Sequence, residues 1–312
     1  MTERKSARAK TCSFNLNLPF LFFISVAVVL TFNADAVRES IVDGIRLSAL
    51  SVIPSLFPFF ILSDFLLCGY IPGSGIISRV LCGVLGISQA SLGSVIIGSV
   101  CGFPLGIKAA TELYSERKIS REECEKLCAV TNNPSMAFVI SGVGAGMRGN
   151  ISEGVILYIS VVISSIVMCI LVRSKFEKSP NFDNISRQNF DLNLSIKSSA
   201  LSSLYVSSYI IFFSALLGFL RSICKNVFLN ITFATVLEIG NAVFVISKTK
   251  ILSRAFAFTL SGFALGFSGI SVFMQAASYI PPEISKAKLL GYKLIQGAIS
   301  AVCAAVLYSF FC

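Results

Sequence analysis

The side chains best placed to do chemistry are few, and they sit in apolar surroundings. Lys108 and Glu112 follow the string Gly102-Phe103-Pro104-Leu105-Gly106. Their spacing of four puts them on one helical face, where they can neutralise one another. Asn132 and Asn133 precede Pro134; the proline disfavours helix at Asn133 and frees backbone carbonyls beside two side-chain amides. Such a set suits a polar uncharged ligand or a sodium ion. Glu238 lies between Leu237 and Ile239 with no neighbouring base, and Gln275 follows in the last quarter of the chain. An ionisable group at bilayer depth costs about 2.5–3.5 kcal/mol even on insertion scales, so those retained there read as functional. With no histidine in the chain, a proton-coupled step falls to Glu238, Glu112 or Asp64.

The same composition excludes other chemistry. Of 312 residues none is His and none is Trp. That removes histidine-based zinc sites and the Ser/His/Asp and Cys/His triads. No spacing pairs a nucleophile with a base, so no enzyme and no cofactor are expected. Most of the ten cysteines fall within or beside apolar runs and read as small buried hydrophobes. Cys124 and Cys128 are four apart without a third ligand, so no metal site is expected. The net charge of +10 reads as topology, because cytoplasmic loops collect Lys and Arg, and no nucleic-acid partner is expected.

The positioning elements follow from hydropathy. With 54% hydrophobic and 13% charged residues, far below the roughly 25% charged of soluble domains, the chain reads as an all-α polytopic membrane protein in the lipid bilayer. About seven to nine hydrophobic helices are expected, some broken or re-entrant, in two weakly similar halves. The basic start, the apolar run Pro19 to Phe32 and Ala34-Asp35-Ala36 outline a signal peptide, read here as a retained first span with its basic end in the cytoplasm.

Val37 to Leu50 is amphipathic, and the following run carries Pro54 and Pro58, which predict a kink or break. Gly69 to Gln89 reads as an interfacial connection. Ala90 to Cys101 is too short to span, and the chain resumes at Ile107 after helix breaks at Gly102, Pro104 and Gly106. Ser120 before Glu122 and Glu123 predicts the cap of a short surface helix from Arg121. A second break at Asn132 to Ser135, centred on Pro134, precedes the clean span Val155 to Val172. After the polar stretch Arg173 to Leu194 come Ile196 to Leu220, Val227 to Ser247, Ala255 to Ile280 with breaks at Gly266 and Gly269, and Leu289 to Phe311.

The chain thus divides into residues 1–36 (N-terminus and first span), 37–172 (first repeat), 173–194 (linker) and 195–312 (second repeat). Placing Gly102-Phe103-Pro104-Leu105-Gly106-Ile107 over Gly266-Phe267-Ser268-Gly269-Ile270 aligns the halves at a separation of 164 residues. Paired Gly/Pro-interrupted segments in two halves point to a transporter's binding site.

Four ordered strings, Val52 to Phe60, Gly102 to Lys108, Asn132 to Ser135 and Gly266 to Val272 with Gln275, resemble the sporulation integral membrane proteins of the YlbJ type, which carry the nucleoside-recognition, or Gate, domain. The likeness covers about Val37 to the C-terminus. Phe103 and Ile107 stand where that family more often has Tyr and a small residue. The resemblance implies a multi-pass cell-membrane protein of the forespore or mother cell, needed for the spore cortex. It implies kinship with nucleoside transporters by domain analogy. Two functions follow. One is a transporter-like site for a small polar solute or nucleoside with Na+ or H+, built from Lys108, Glu112, Asn132, Asn133, Glu238 and Gln275. The alternative is a non-transporting scaffold that gathers other sporulation membrane proteins through Arg121 to Cys128 and the linker.

Overall fold

The structure, a computed structural model, describes residues 24, 31, 34–69, 75–172 and 190–311. Nearly all of the expected first span and of the polar linker lies outside them. The described residues form helices and no strands. Five helices are long and apolar enough to cross a bilayer, namely Asp35–Phe65, Ile151–Leu171, Leu192–Ile223, Arg254–Ala277 and Lys286–Phe311. Shorter apolar helices accompany them, so the protein is a polytopic membrane protein.

The first of these helices runs through both prolines. Helix α1 (Ala34–Leu47) passes into a π-helical turn (Ser48–Val52) and on into α2 (Ile53–Gly69). Pro54 falls in the first turn of α2 and Pro58 inside it. The extra residue of the π turn, with Ile53 N donating to Ser48 O, absorbs the strain upstream. The hydroxyl of Ser55 also donates to Ser51 O at 2.6 Å. The expected break is therefore a π turn in a continuous helix. Helix α1 packs on α9 (Leu192–Ile223) through small residues: Gly44 abuts Ser214, and Gly218 abuts Ser40. Lipid supplies no hydrophobic drive between helices, so close approach of this kind carries the packing.

The connection after α2 contains a helix, α3 (Ile76–Leu85), with Ile76, Ile77, Val80 and Val84 all more than half exposed. Helix α6 (Arg121–Val130) holds its end. Lys126 Nζ donates to Leu85 O at 2.6 Å and Gly86 O at 2.9 Å. The Glu123 carboxylate accepts from Ser88 N and Ser91 Oγ, both at 2.6 Å. Ser120 caps α6 by accepting from Glu123 N, as its sequence predicts. The helix is nevertheless not a surface element: from Glu123 onward every residue but the half-buried Glu125 is buried.

Two pairs of broken helices follow, one pair in each half. In the first, α4 (Leu92–Val100) and α5 (Leu105–Ser115) meet at Gly102, and α6 and the π-helical α7 (Phe138–Met147) meet at Thr131–Ser135. The breaks touch. Gly102 has φ +83°, and a Cβ there would lie 2.4 Å from Ser135 N. Phe103 N donates to Asn133 O at 2.8 Å. Gly98 and Gly106 both press on Thr131. In the second half, α10 (Val227–Leu237) and α11 (Ile239–Lys248) break at Glu238, and α12 (Arg254–Phe267) and α13 (Gly269–Ala277) break at Ser268. Again the breaks touch, with Gly269 (φ +78°) against Leu237 and Glu238 N.

Three expectations change here. The run Val227 to Ser247 is two helices. Gly106 lies inside α5 and Gly266 inside α12, where they permit close contact with Thr131 and Ser300 rather than interrupt the helix. The register of the halves also differs from the glycine match. Leu92 and Val227 begin corresponding helices 135 residues apart, as do Ile151 of α8 (Ile151–Leu171) and Lys286 of α14 (Lys286–Phe311). Phe103 then corresponds to Glu238, and Asn133 to Ser268. Packing obeys the same exchange. Helix α8 packs on α14, α8–α12 is matched by α14–α6, and α2–α7 by α9–α13.

Gly102→Ala is expected to lower stability in detergent by more than about 2 kcal/mol, combining left-handed strain with the clash on Ser135. Gly149→Ala, at φ +70° with open space around it, should cost only the strain of about 1 kcal/mol. Thermal unfolding of the two purified variants checks the difference.

Candidate functional site

The two breaks of the first half assemble a buried polar cluster. The ammonium of Lys293, on α14, donates to Asn132 O and to Gln296 Oε1, both at 2.8 Å. Gln296 Nε2 donates to Asn133 Oδ1 at 2.7 Å. Asn133 Nδ2 donates to Val130 O at 2.8 Å and Ser165 Oγ at 3.1 Å. The unwound residues after α6 are thus satisfied by side chains from α8 and α14, as backbone away from water must be. Asn132, Asn133 and Lys293 are each 2% exposed and Gln296 is fully buried. The side-chain oxygen of Asn132 has no hydrogen-bond partner.

The break of the second half holds the opposite charge. Glu238, 1% exposed, ends α10 and caps α11. Its carboxylate accepts from Gly240 N at 3.0 Å, Asn241 N at 2.6 Å and Asn241 Nδ2 at 3.0 Å. Asn241 also donates to Ser214 Oγ at 2.7 Å, tying the break to α9. All these donors are neutral, and the positive end of the α11 dipole supplies what compensation there is.

Between the two crossings lies a void of about 10 Å³, the lower bound for one water molecule. Phe103 and Phe138 line it from one half, and Glu238, Val272 and Gln275 from the other. Gln275 Nε2 reaches Ser271 Oγ at 3.4 Å, while its buried carbonyl oxygen has no partner. Phe103 links the two regions: it lines the void and its backbone N–H is bonded to Asn133 O. The surface of the void is almost wholly apolar, with the acidic residue Glu238 and the amide residue Gln275 among those around it.

The other candidates stand apart. Lys108 and Glu112 are 3.9 Å apart with side chains 37% and 51% exposed. They neither line the void nor hydrogen-bond to the cluster among the described residues. Asp64 accepts from Ser195 Oγ at 2.8 Å and Ser198 Oγ at 3.2 Å, joining α2 to α9. Three groups escape the sequence reading. Lys293 and Gln296 sit near the start of the final span, where Lys at position i and Gln at i+3 are the visible signal. Glu153, in the first turn of α8, pairs with Arg148 and, across the halves, with Arg254, each at 2.5 Å.

Over 158 residues the chain is 29% identical to the sporulation integral membrane protein YlbJ of Bacillus subtilis (strain 168), a stretch that is 49% of this chain and 38% of that protein. No family model matches the chain. No solved structure matches it either.

Gln296→Leu should destabilise the protein by about 2–4 kcal/mol, because it strands both Asn133 Oδ1 and the Lys293 ammonium. Lys108→Gln, at a partly exposed pair, should change stability by less than about 0.5 kcal/mol. Melting temperatures in detergent distinguish the two.

Proposed function

We propose that this protein acts in sporulation as a transporter-like membrane protein whose site is the void between the crossed breaks. The observation that carries this reading is Gln275. Its carbonyl oxygen is buried without a partner, and Gln275 and Glu238 are both among the residues of the second half that line the void. A buried acceptor left unpaired costs about 1–3 kcal/mol, and a donating ligand removes that cost. A small polar solute with N–H or O–H groups fits the chemistry, and a nucleoside is the class that the Gate resemblance suggests. The void admits one water, so a solute of nucleoside size enters only when the halves part.

A role in sporulation is supported by the partial likeness to YlbJ; a role in the spore cortex is what the family resemblance of the ordered motifs implies. The scaffold alternative finds less support. Its docking helix exposes only Arg121 and Glu122 among its first eight residues, and the linker it needs lies outside the described residues.

Reconstitution in liposomes with a panel of nucleosides and cell-wall precursors tests the proposal. Wild type should take up a panel member, and Glu238→Gln should reduce that uptake about tenfold or more, the effect of losing one charge-assisted hydrogen bond. Glu238→Gln should also lower the yield of heat-resistant spores while leaving the protein inserted. Absence of uptake for every panel member, or normal spore yield in the variant, counts against the site.

A further inference from the structure

Lys293 is a buried amine with no carboxylate partner among the described residues. Its residue is 2% exposed. Removing an ammonium from water is expensive unless something else solvates it. Here the solvation is oxygen. The carbonyl of Asn132, in the unwound stretch after α6, accepts from Nζ, as does the amide oxygen of Gln296. Gln296 is held in that orientation because its Nε2 is committed to Asn133 Oδ1. The cluster stands just past the C-terminal end of α6, where the helix dipole is negative. The buried, unpartnered oxygen of Asn132 belongs to the same break. Unwound carbonyls and half-helix C-termini are the features that coordinate a free monovalent cation in discontinuous membrane helices.

We propose that the α6–α7 break is a monovalent-cation site whose cation is built into the chain, the ammonium of Lys293. Asn132 and Asn133 are then not a sodium site in the intact protein, because the position is already filled. Resting on the transport reading above, the inference further means that solute movement draws on no sodium bound at this break.

The test needs no solute. Full-length wild type and Lys293→Ala, purified in detergent, are melted in choline, potassium and methylammonium chloride at equal ionic strength. Wild type should melt at one temperature in all three salts. Lys293→Ala should melt lower in choline and regain about 3 °C or more in potassium or methylammonium. A folded Lys293→Ala that melts at one temperature in all three overturns the proposal. If Lys293→Ala yields no folded protein in choline, its recovery on extraction in methylammonium supports the proposal, and no recovery overturns it. Lys293→Met fills the volume without charge and should be less stable than wild type and indifferent to salt; stability equal to or above wild type overturns the proposal. None of these outcomes depends on uptake, so a failed transport assay and a failed cation site are separately visible.

Discussion

Inside a bilayer every backbone N–H and C=O must find a partner within the protein, and among the described residues four helix pairs are interrupted by breaks. Each interruption exposes groups that lipid cannot satisfy. The structure meets the demand by making the breaks meet. Phe103 N donates to Asn133 O, and Gly269 lies against Leu237 and Glu238. Side chains from neighbouring spans supply the remainder: Ser165 and Gln296 at the first crossing, Ser214 through Asn241 at the second. The small residues follow from this requirement, since Gly98, Gly102, Gly106 and Gly269 are where two backbones come too close for a side chain.

The buried charges obey the same constraint. Lys293 stands past the end of a half-helix and Glu238 at the start of one, so each is compensated by peptide dipoles and by hydrogen bonds to neutral groups. Glu153 is different. Its two arginine partners lie in different halves, Arg148 before α8 and Arg254 at the start of α12, and Arg148 also lies 5.3 Å from the centre of the Phe258 ring. It ties the halves together at the side of the molecule where Arg254 is 68% exposed. The centre and the rim of the protein thus use charge in different ways, one by dipole and the other by ion pairing.

What could be read from the sequence was whatever a local rule governs. Gly102, Pro104 and Pro134 announce their breaks because positive φ and a missing N–H are properties of single residues. Ser120 announces α6 for the same reason. Glu238 was visible as an anomaly, but not as a break, because Glu is not among the favoured N-caps and its flanks are strongly apolar. Lys293 resembles the many lysines whose stems snorkel toward an interface; only its contact with Asn132, 161 residues away, gives it another meaning. The pairing of the halves was obscured by two Gly-Phe strings that match in letters and occupy different positions in the element order. The correspondence shows in helix starts and packing, which the letters do not carry.

The correspondence of helix starts between the halves pairs unlike residues at the breaks. Phe103 and Glu238 occupy corresponding places and both line the same void, one an aromatic residue and the other an acidic one. On the transport reading proposed above, a solute crossing the void from one side meets these residues in the opposite order from a solute crossing from the other. Microscopic reversibility forbids this difference from changing where an uncoupled equilibrium lies. It leaves the two directional rates free to depend differently on concentration at each face, so in such a transporter the inequality of Phe103 and Glu238 would give the two directions different kinetics.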